Sequence, residues 1–247
     1  MRGIVQNGPA DAAESLLSWW ALAGVDHAVN ELPVNWLRPA VAPARVRPAS
    51  PGGDAPRVDR PDALPNDLSA FHAWLTTHPS IHEAGWSSQR ILPAGAQNAA
   101  IMVICDLPDP EDAETGTLLS GNCGALFDAM MAAIGRSRQD IYLSSLSVTR
   151  APGGILHDQD LEILATRMRH HIALAAPQRL LLLGEKTNRA LLAADSLERP
   201  SGLQSVNHPA GTVPAIASRH PRFLLKHPEA KAQSWRALQY LIEDLPS

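Results

Sequence analysis

The chain lacks most of the features that would assign it quickly to a functional class. Only two cysteines, Cys105 and Cys123, occur in its 247 residues. That is too few for a disulfide framework, and their spacing is not that of a metal site, so no metal is expected. Long apolar runs are missing. The longest candidate, "LLSWWALAGV" (16–25), is too short to span a bilayer and follows an acidic N-terminus, so neither a membrane anchor nor a signal peptide is expected and the cytoplasm is the default compartment. Positive charge is not in excess. A formal net charge of −4 argues against a generic polyanion binder. Internal repeats are absent, and so is the G-x-S-x-G turn that would present a serine nucleophile.

What remains has the 45% hydrophobic and 19% charged content of an ordinary soluble globular protein, with length enough for a sizeable core. Residues 1–32 read as an N-terminal helical segment. Asp11 is placed to cap a helix over 11–23, Leu16, Trp19 and Ala23 fall near helical spacing, and Gly24 can end it. Trp19 and Trp20 either dock on the rest of the chain or meet an unknown protein partner. Residues 33–66 hold eight prolines between Pro33 and Pro65, which predicts a disordered linker. A compact domain is expected from Asp67 to the C-terminus.

Within that domain, strands and helices alternate. "AIMVIC" (100–105), "IYLSSLSV" (141–148), "RLLLLG" (179–184) and "TVPAIAS" (212–218) read as strands. Helices are predicted over 122–134 with Leu126, Met130 and Ile134 inward, over a stretch with Leu161, Leu164, Met168 and Ile172 inward, and through "RALLAA". A final helix has Pro228 in its first turn and Trp235, Leu238 and Ile242 on its apolar face. The fold class is α/β, a three-layer α/β/α arrangement around a central, mainly parallel four-stranded sheet. Ligands in such sheets bind at the carboxyl ends of the strands. That gathers "CDLPDPEDAETG" (105–116), "SVTRAPGG" (147–154) and "SRHPRF" (218–223) on one edge.

These loops, in this order, resemble the uracil-DNA glycosylase superfamily, most closely its iron–sulfur branch (family 4) and degenerate bacterial relatives. "CDLPDPEDAETGTLLSGNCG" (105–124) lines up with that branch's first motif, keeping Pro108, Gly116, Gly121 and Gly124. "SRQDIYLSSLSVTRAPGG" (137–154), "LGEKTNRALL" (183–192) and "HPRFLLKHPEAKAQSW" (220–235) match three further motifs. The likeness covers 95–242. It implies a monomeric, monofunctional DNA-repair glycosylase that hydrolyses the N-glycosidic bond of uracil or a related damaged base.

The resemblance also implies roles. His220 is the neutral donor to the departing base, and Asp106 the carboxylate that positions or deprotonates water. Leu119 stands where the base-stacking Phe would be, Ser145 where the base-reading Asn would be, and Pro108 lines the same pocket. Arg222, Lys226 and Lys231 are placed to meet DNA phosphates, and Phe223, Leu224 and Leu225 form either a wedge or a packed anchor beside the groove. Two of the branch's cluster cysteines correspond to Thr149 and Ala165, so no iron–sulfur cluster or other cofactor is expected.

Blander readings stand beside these. An isolated His-Pro is most simply a loop histidine with a satisfied hydrogen bond, Asp106 can merely cap its loop, and Glu111 and Asp112 are solvated or capping residues. The locally basic 219–236 window can be a solvated helix face. Leu119 and Ser145 leave open a catalytically degenerate homologue that binds DNA or a partner without excision. A hydrolase using Ser144 or Ser145 with His220 and Asp106 is the weakest alternative.

Overall fold

The unbroken apolar run of the first strand sets the architecture, because its side chains alternate between two cores. In the computed structural model, which describes residues 64–193, 202–243 and 245, β1 spans Ile101–Cys105 and is buried throughout. Met102 and Ile104 enter one core, while Ile101, Val103 and Cys105 enter the other. The predicted helix over 11–23, with Trp19 and Trp20, and most of the proline-rich segment lie outside the described residues.

Helix α1 (Leu68–Thr77) opens the described part, with Asp67 accepting the Ala70 N–H at 2.9 Å as its cap. Already before it, Leu64 packs against the domain and the Pro65 carbonyl accepts from His170 at 2.8 Å, so the last linker residues are in contact with the core. After β1 come α2 (Pro110–Thr115), α3 (Gly121–Ala133), β2 (Ile141–Ser145), α4 (Asp158–Ala175), β3 (Arg179–Leu183) and α5 (Glu185–Leu191). Then follow β4 (Gln204–His208), β5 (Gly211–Ser218), α6 (Pro221–Lys226) and α7 (Lys231–Ile242). The sheet order is β2-β1-β3-β5-β4. Four strands run parallel, with Cys105 opposite Ser145 and Leu183 opposite Ser218 at their carboxyl ends.

Three expectations need correction. The described sheet has five strands, not four, because β4 pairs antiparallel with β5 at one edge. Its sequence, QSVNH, buries only Val206. A polar edge strand needs no apolar run and gives no periodic signal. On α3 the buried side chains are Cys123, Phe127 and Met131, one position on from Leu126 and Met130, while Ile134 at its end is buried as expected and Met130 packs at the margin of the same core. On α7 the buried positions are Ser234, Leu238 and Leu241, and Trp235 is 42% exposed.

Polar groups lock the layers. Arg167 on α4 bonds both carboxylate oxygens of the fully buried Glu83, one at 2.7 Å, and also the Leu146 carbonyl at 2.8 Å. Glu83 accepts the Val148 N–H at 3.0 Å, and its own carbonyl takes the Thr149 hydroxyl at 3.1 Å. Burial works to raise the Glu83 carboxyl, but Arg167 and the Val148 N–H hold it below its ordinary value. This pair pins the chain leaving β2, which is one wall of the site described next. Removing one partner of a buried ion pair strands the other charge, at a cost of about 3–5 kcal/mol. Glu83→Gln and Arg167→Met should therefore each lower stability by about that much in urea titrations. Joint replacement by Leu and Met should recover most of the loss. Single variants within about 1 kcal/mol of the parent would show that the pair does not hold the loop.

Candidate functional site

The three loops at the carboxyl edge meet. Leu146 N–H reaches the Cys105 carbonyl at 2.9 Å and Ser147 N–H the Asp106 carbonyl at 3.2 Å, joining the segments after β1 and β2. Arg150 donates to the Pro108 carbonyl at 2.7 Å. From the segment after β5, the Arg222 guanidinium bonds Asp109 at 2.7 Å and also Asp106.

His220 sits at the centre and is 4% exposed. Pro221 supplies the fixed φ of a first helical position, and His220 caps α6. Its Nδ1 accepts the Arg222 backbone N–H at 3.2 Å, the task that a Ser or Asp oxygen usually performs. An imidazole that accepts at Nδ1 carries its proton on Nε2. That Nε2 is buried, has no hydrogen-bond partner among the described residues, and lies 4.0 Å from Asp106 Oδ1. A buried donor left unsatisfied costs roughly 1–3 kcal/mol, so this proton is held ready for an acceptor that enters. Burial, reinforced by the Arg222 charge, lowers the His220 pKa to about 3. The ring is neutral.

Asp106 accepts the Leu107 N–H at 2.9 Å as well as the Arg222 guanidinium. Burial raises its carboxyl above the ordinary value, with Arg222 opposing. Asp109, which the sequence reading gave no role, is buried and shares the Arg222 charge. Cys123 places its thiol 3.9 Å from His220 Nδ1, and burial followed by the Asp109 charge pushes that thiol up to about 12. Asp109, Cys123 and His220 thus hold an oxygen, a sulfur and a nitrogen within 4.8 Å of one another. Nδ1 and Asp109 are already bonded to Arg222 and the thiol keeps its proton, so the group is a hydrogen-bonded network around a guanidinium.

The remaining sequence-assigned residues divide. Leu119 is buried, as are Pro108 and Ser145. Its φ of 54° lies in the left-handed region, an uncommon conformation for a branched side chain that tends to persist at functional sites. Arg138 holds it there by donating to the Leu118 carbonyl at 2.8 Å and to the Leu119 carbonyl. A Cβ at Gly124 would lie 2.0 Å from that same carbonyl, so only glycine fits beneath it. The Ser145 hydroxyl donates to the Ser147 carbonyl at 2.7 Å and is not aimed at a ligand. Arg222, expected at a phosphate, is instead bonded to two carboxylates. Lys226 and Lys231 remain exposed. The apolar trio splits: Leu224 is buried, whereas Phe223 and Leu225 are 38% and 45% exposed. Phe223 stacks on His227 at 4.3 Å, with the Arg219 guanidinium 5.3 Å from its ring centre. Asp112 is buried and caps, accepting the Asp109 and Ser120 N–H groups at 2.8 and 2.7 Å.

A family profile for the uracil DNA glycosylase superfamily matches residues 92–242, more than half of the chain. The chain belongs to the uracil-DNA glycosylase superfamily. Its α/β fold and its loop-built site at the strands' carboxyl edge accord with that membership, which gives a glycosylase-like activity on DNA as the general functional class. No curated protein matches the chain. Among the described residues, no helix is long and apolar enough to cross a membrane.

A superfamily branch carries a four-thiolate cluster, and this chain does not fit one. It has two cysteines in all. Cys105 is buried with its thiol against the Ser144 carbonyl, Thr149 is bonded to Glu83, and Ala165 is packed in the first core.

His171 makes the same electrostatic point as His220. It bonds the Tyr142 hydroxyl at 2.7 Å, and burial lowers its pKa to about 3. Both rings have depressed folded values, so the unfolded chain binds more protons than the folded one between about 6.5 and about 3. Stability is present above that window and falls as pH drops through it, by up to about 1.4 kcal/mol per pH unit for each imidazole. His220→Gln should flatten the slope of unfolding free energy against pH by about one such increment in denaturant titrations. An unchanged slope would mean that His220 is protonated in the folded protein.

Proposed function

We propose that this protein is a monofunctional DNA glycosylase that releases uracil or a related damaged base, with His220 and Asp106 as its chemical groups. The observation that carries the reading is the buried, unpartnered Nε2–H of a neutral His220. Breaking the bond between C1′ of the sugar and the base nitrogen puts negative charge on the leaving base and positive charge on the sugar. A fixed neutral donor at a base oxygen stabilises that anion without first giving up a proton, an effect worth roughly 3–4 kcal/mol in the barrier. Water then adds to C1′, its proton passing to Asp106, whose raised pKa suits it to accept one. The chemistry needs the nucleotide out of the stack. Exposed Phe223 and Leu225 supply the apolar surface for that, and Lys226 and Lys231 the phosphate contacts. A base approaching Nε2 must share or displace the Arg222–Asp106 bond, and strand phosphates competing for the guanidinium provide the means. The reading requires no iron–sulfur cluster and treats the chain as a monomer.

A second reading, binding without excision, has its own support. The Ser145 hydroxyl is spent on the Ser147 carbonyl and Leu119 offers no aromatic face. One assay separates the two. Protein purified from a glycosylase-deficient host is incubated with single-uracil oligonucleotides, single- and double-stranded, followed by alkali. Base release that drops at least a hundredfold in His220→Ala is the expected result, as for loss of a transition-state donor. Salt-sensitive binding with no release from either strand form establishes the second reading on this substrate. Absence of both removes DNA from the account.

A further inference from the structure

Beside the site, at the carboxyl end of β5, a half-open cavity of about 670 Å³ lies between α5, β5 and α7. Its lining contains three buried polar atoms that have no partner among the described residues: Asn188 Oδ1, Ser218 Oγ and Ser234 Oγ. Ser218 and Ser234 are 6% and 3% exposed. Buried hydroxyls without partners are rare in native proteins and call for an explanation.

The charge around the cavity supplies one. Arg219 and Arg236 both line it, and neither has an ion-pair partner among the described residues. Arg189 adds a third guanidinium, held at the rim by Asp158 at 3.1 Å, against the single carboxylate of Glu185. Arg236, and Arg219 whose guanidinium lies 5.3 Å from the Phe223 ring centre, form with the two serine hydroxyls a donor set for an anion with several acceptor oxygens, which describes a phosphate. The buried Asn188 Oδ1 needs a donor, which a base edge or a sugar hydroxyl can supply. Tyr240, at the same cavity and 44% exposed, offers an aromatic face. A volume of this size falls in the range of small-molecule sites, and carboxyl strand ends are where open α/β sheets bind ligands.

We propose that this cavity binds a nucleotide through its phosphate, with Ser218, Ser234, Arg219 and Arg236 on the phosphate oxygens and Asn188 on the base or sugar. The nucleotide comes either free in solution or as a unit of a DNA strand. Nothing in the assignment uses His220 chemistry, so it stands or falls apart from the glycosylase reading.

The test is equilibrium binding to the full-length chain, using thymidine 5′-monophosphate, thymidine and a short oligothymidylate. Monophosphate binding that thymidine does not match identifies a free-nucleotide site. Oligothymidylate binding without monophosphate binding identifies a strand site. In either case Arg236→Gln, an exposed position that folding tolerates, and Ser234→Ala, inside the cavity, should each weaken binding, the former about tenfold or more. His220→Ala should leave it unchanged. The proposal is overturned if neither nucleotide form binds, if thymidine binds as well as its monophosphate, or if binding ignores Arg236→Gln and Ser234→Ala. Loss in His220→Ala would also overturn it, by moving the ligand into the glycosylase site.

Discussion

Arg222 acts at both of its ends, and the site depends on that. Its backbone N–H rests on His220 Nδ1, which fixes where the imidazole proton sits, and its guanidinium gathers Asp106 and Asp109. One residue therefore sets the tautomer of the donor and the position of the acid beside it. The two effects reinforce each other, because the same positive charge that tethers Asp106 also helps to keep His220 neutral. Pro221 makes this possible by starting a helix immediately after the histidine, so that the first N–H beyond it, that of Arg222, falls on the ring.

The scaffold around this arrangement spends its polar groups in pairs. Glu83 and Arg167 fasten the chain leaving β2, Arg138 fastens the carbonyls at Leu118 and Leu119, and Arg150 fastens Pro108. In each case a guanidinium ties a loop to a neighbouring segment, which is how a site built from loops becomes rigid enough to orient a proton. The Glu83–Arg167 pair lies where Thr149 is bonded, a position that a superfamily branch gives to a cluster thiolate.

Much of this was legible in the sequence. The buried strands announced themselves as continuous apolar runs, and the helix carrying Leu161, Leu164, Met168 and Ile172 buries all four. His220 and Asp106 could be brought to one edge by strand order alone. What was hidden shares a physical cause: it depends on partners far away in the chain. Arg222 reads as a cation in a basic window, and nothing local says that it faces carboxylates more than a hundred residues earlier. Glu83 lies in a stretch with no periodic signal, and its partner Arg167 sits on a helix whose apolar face draws attention elsewhere. Strand β4 escaped notice because a polar edge strand buries one side chain. The Ser145 hydroxyl turned out to serve its own loop two residues on, a local bond that residue type alone cannot distinguish from a free one.

The central claim is that His220 is a neutral imidazole with its proton on Nε2. Nitrogen-15 NMR correlating ring nitrogens with ring carbon-bound protons reads that state directly, with His220→Gln to assign the signals. From about pH 5 to about pH 8 the account predicts an unprotonated Nδ1, a protonated Nε2 and no titration. A proton on Nδ1, or a transition to the imidazolium near the ordinary histidine value of about 6.5, would contradict it.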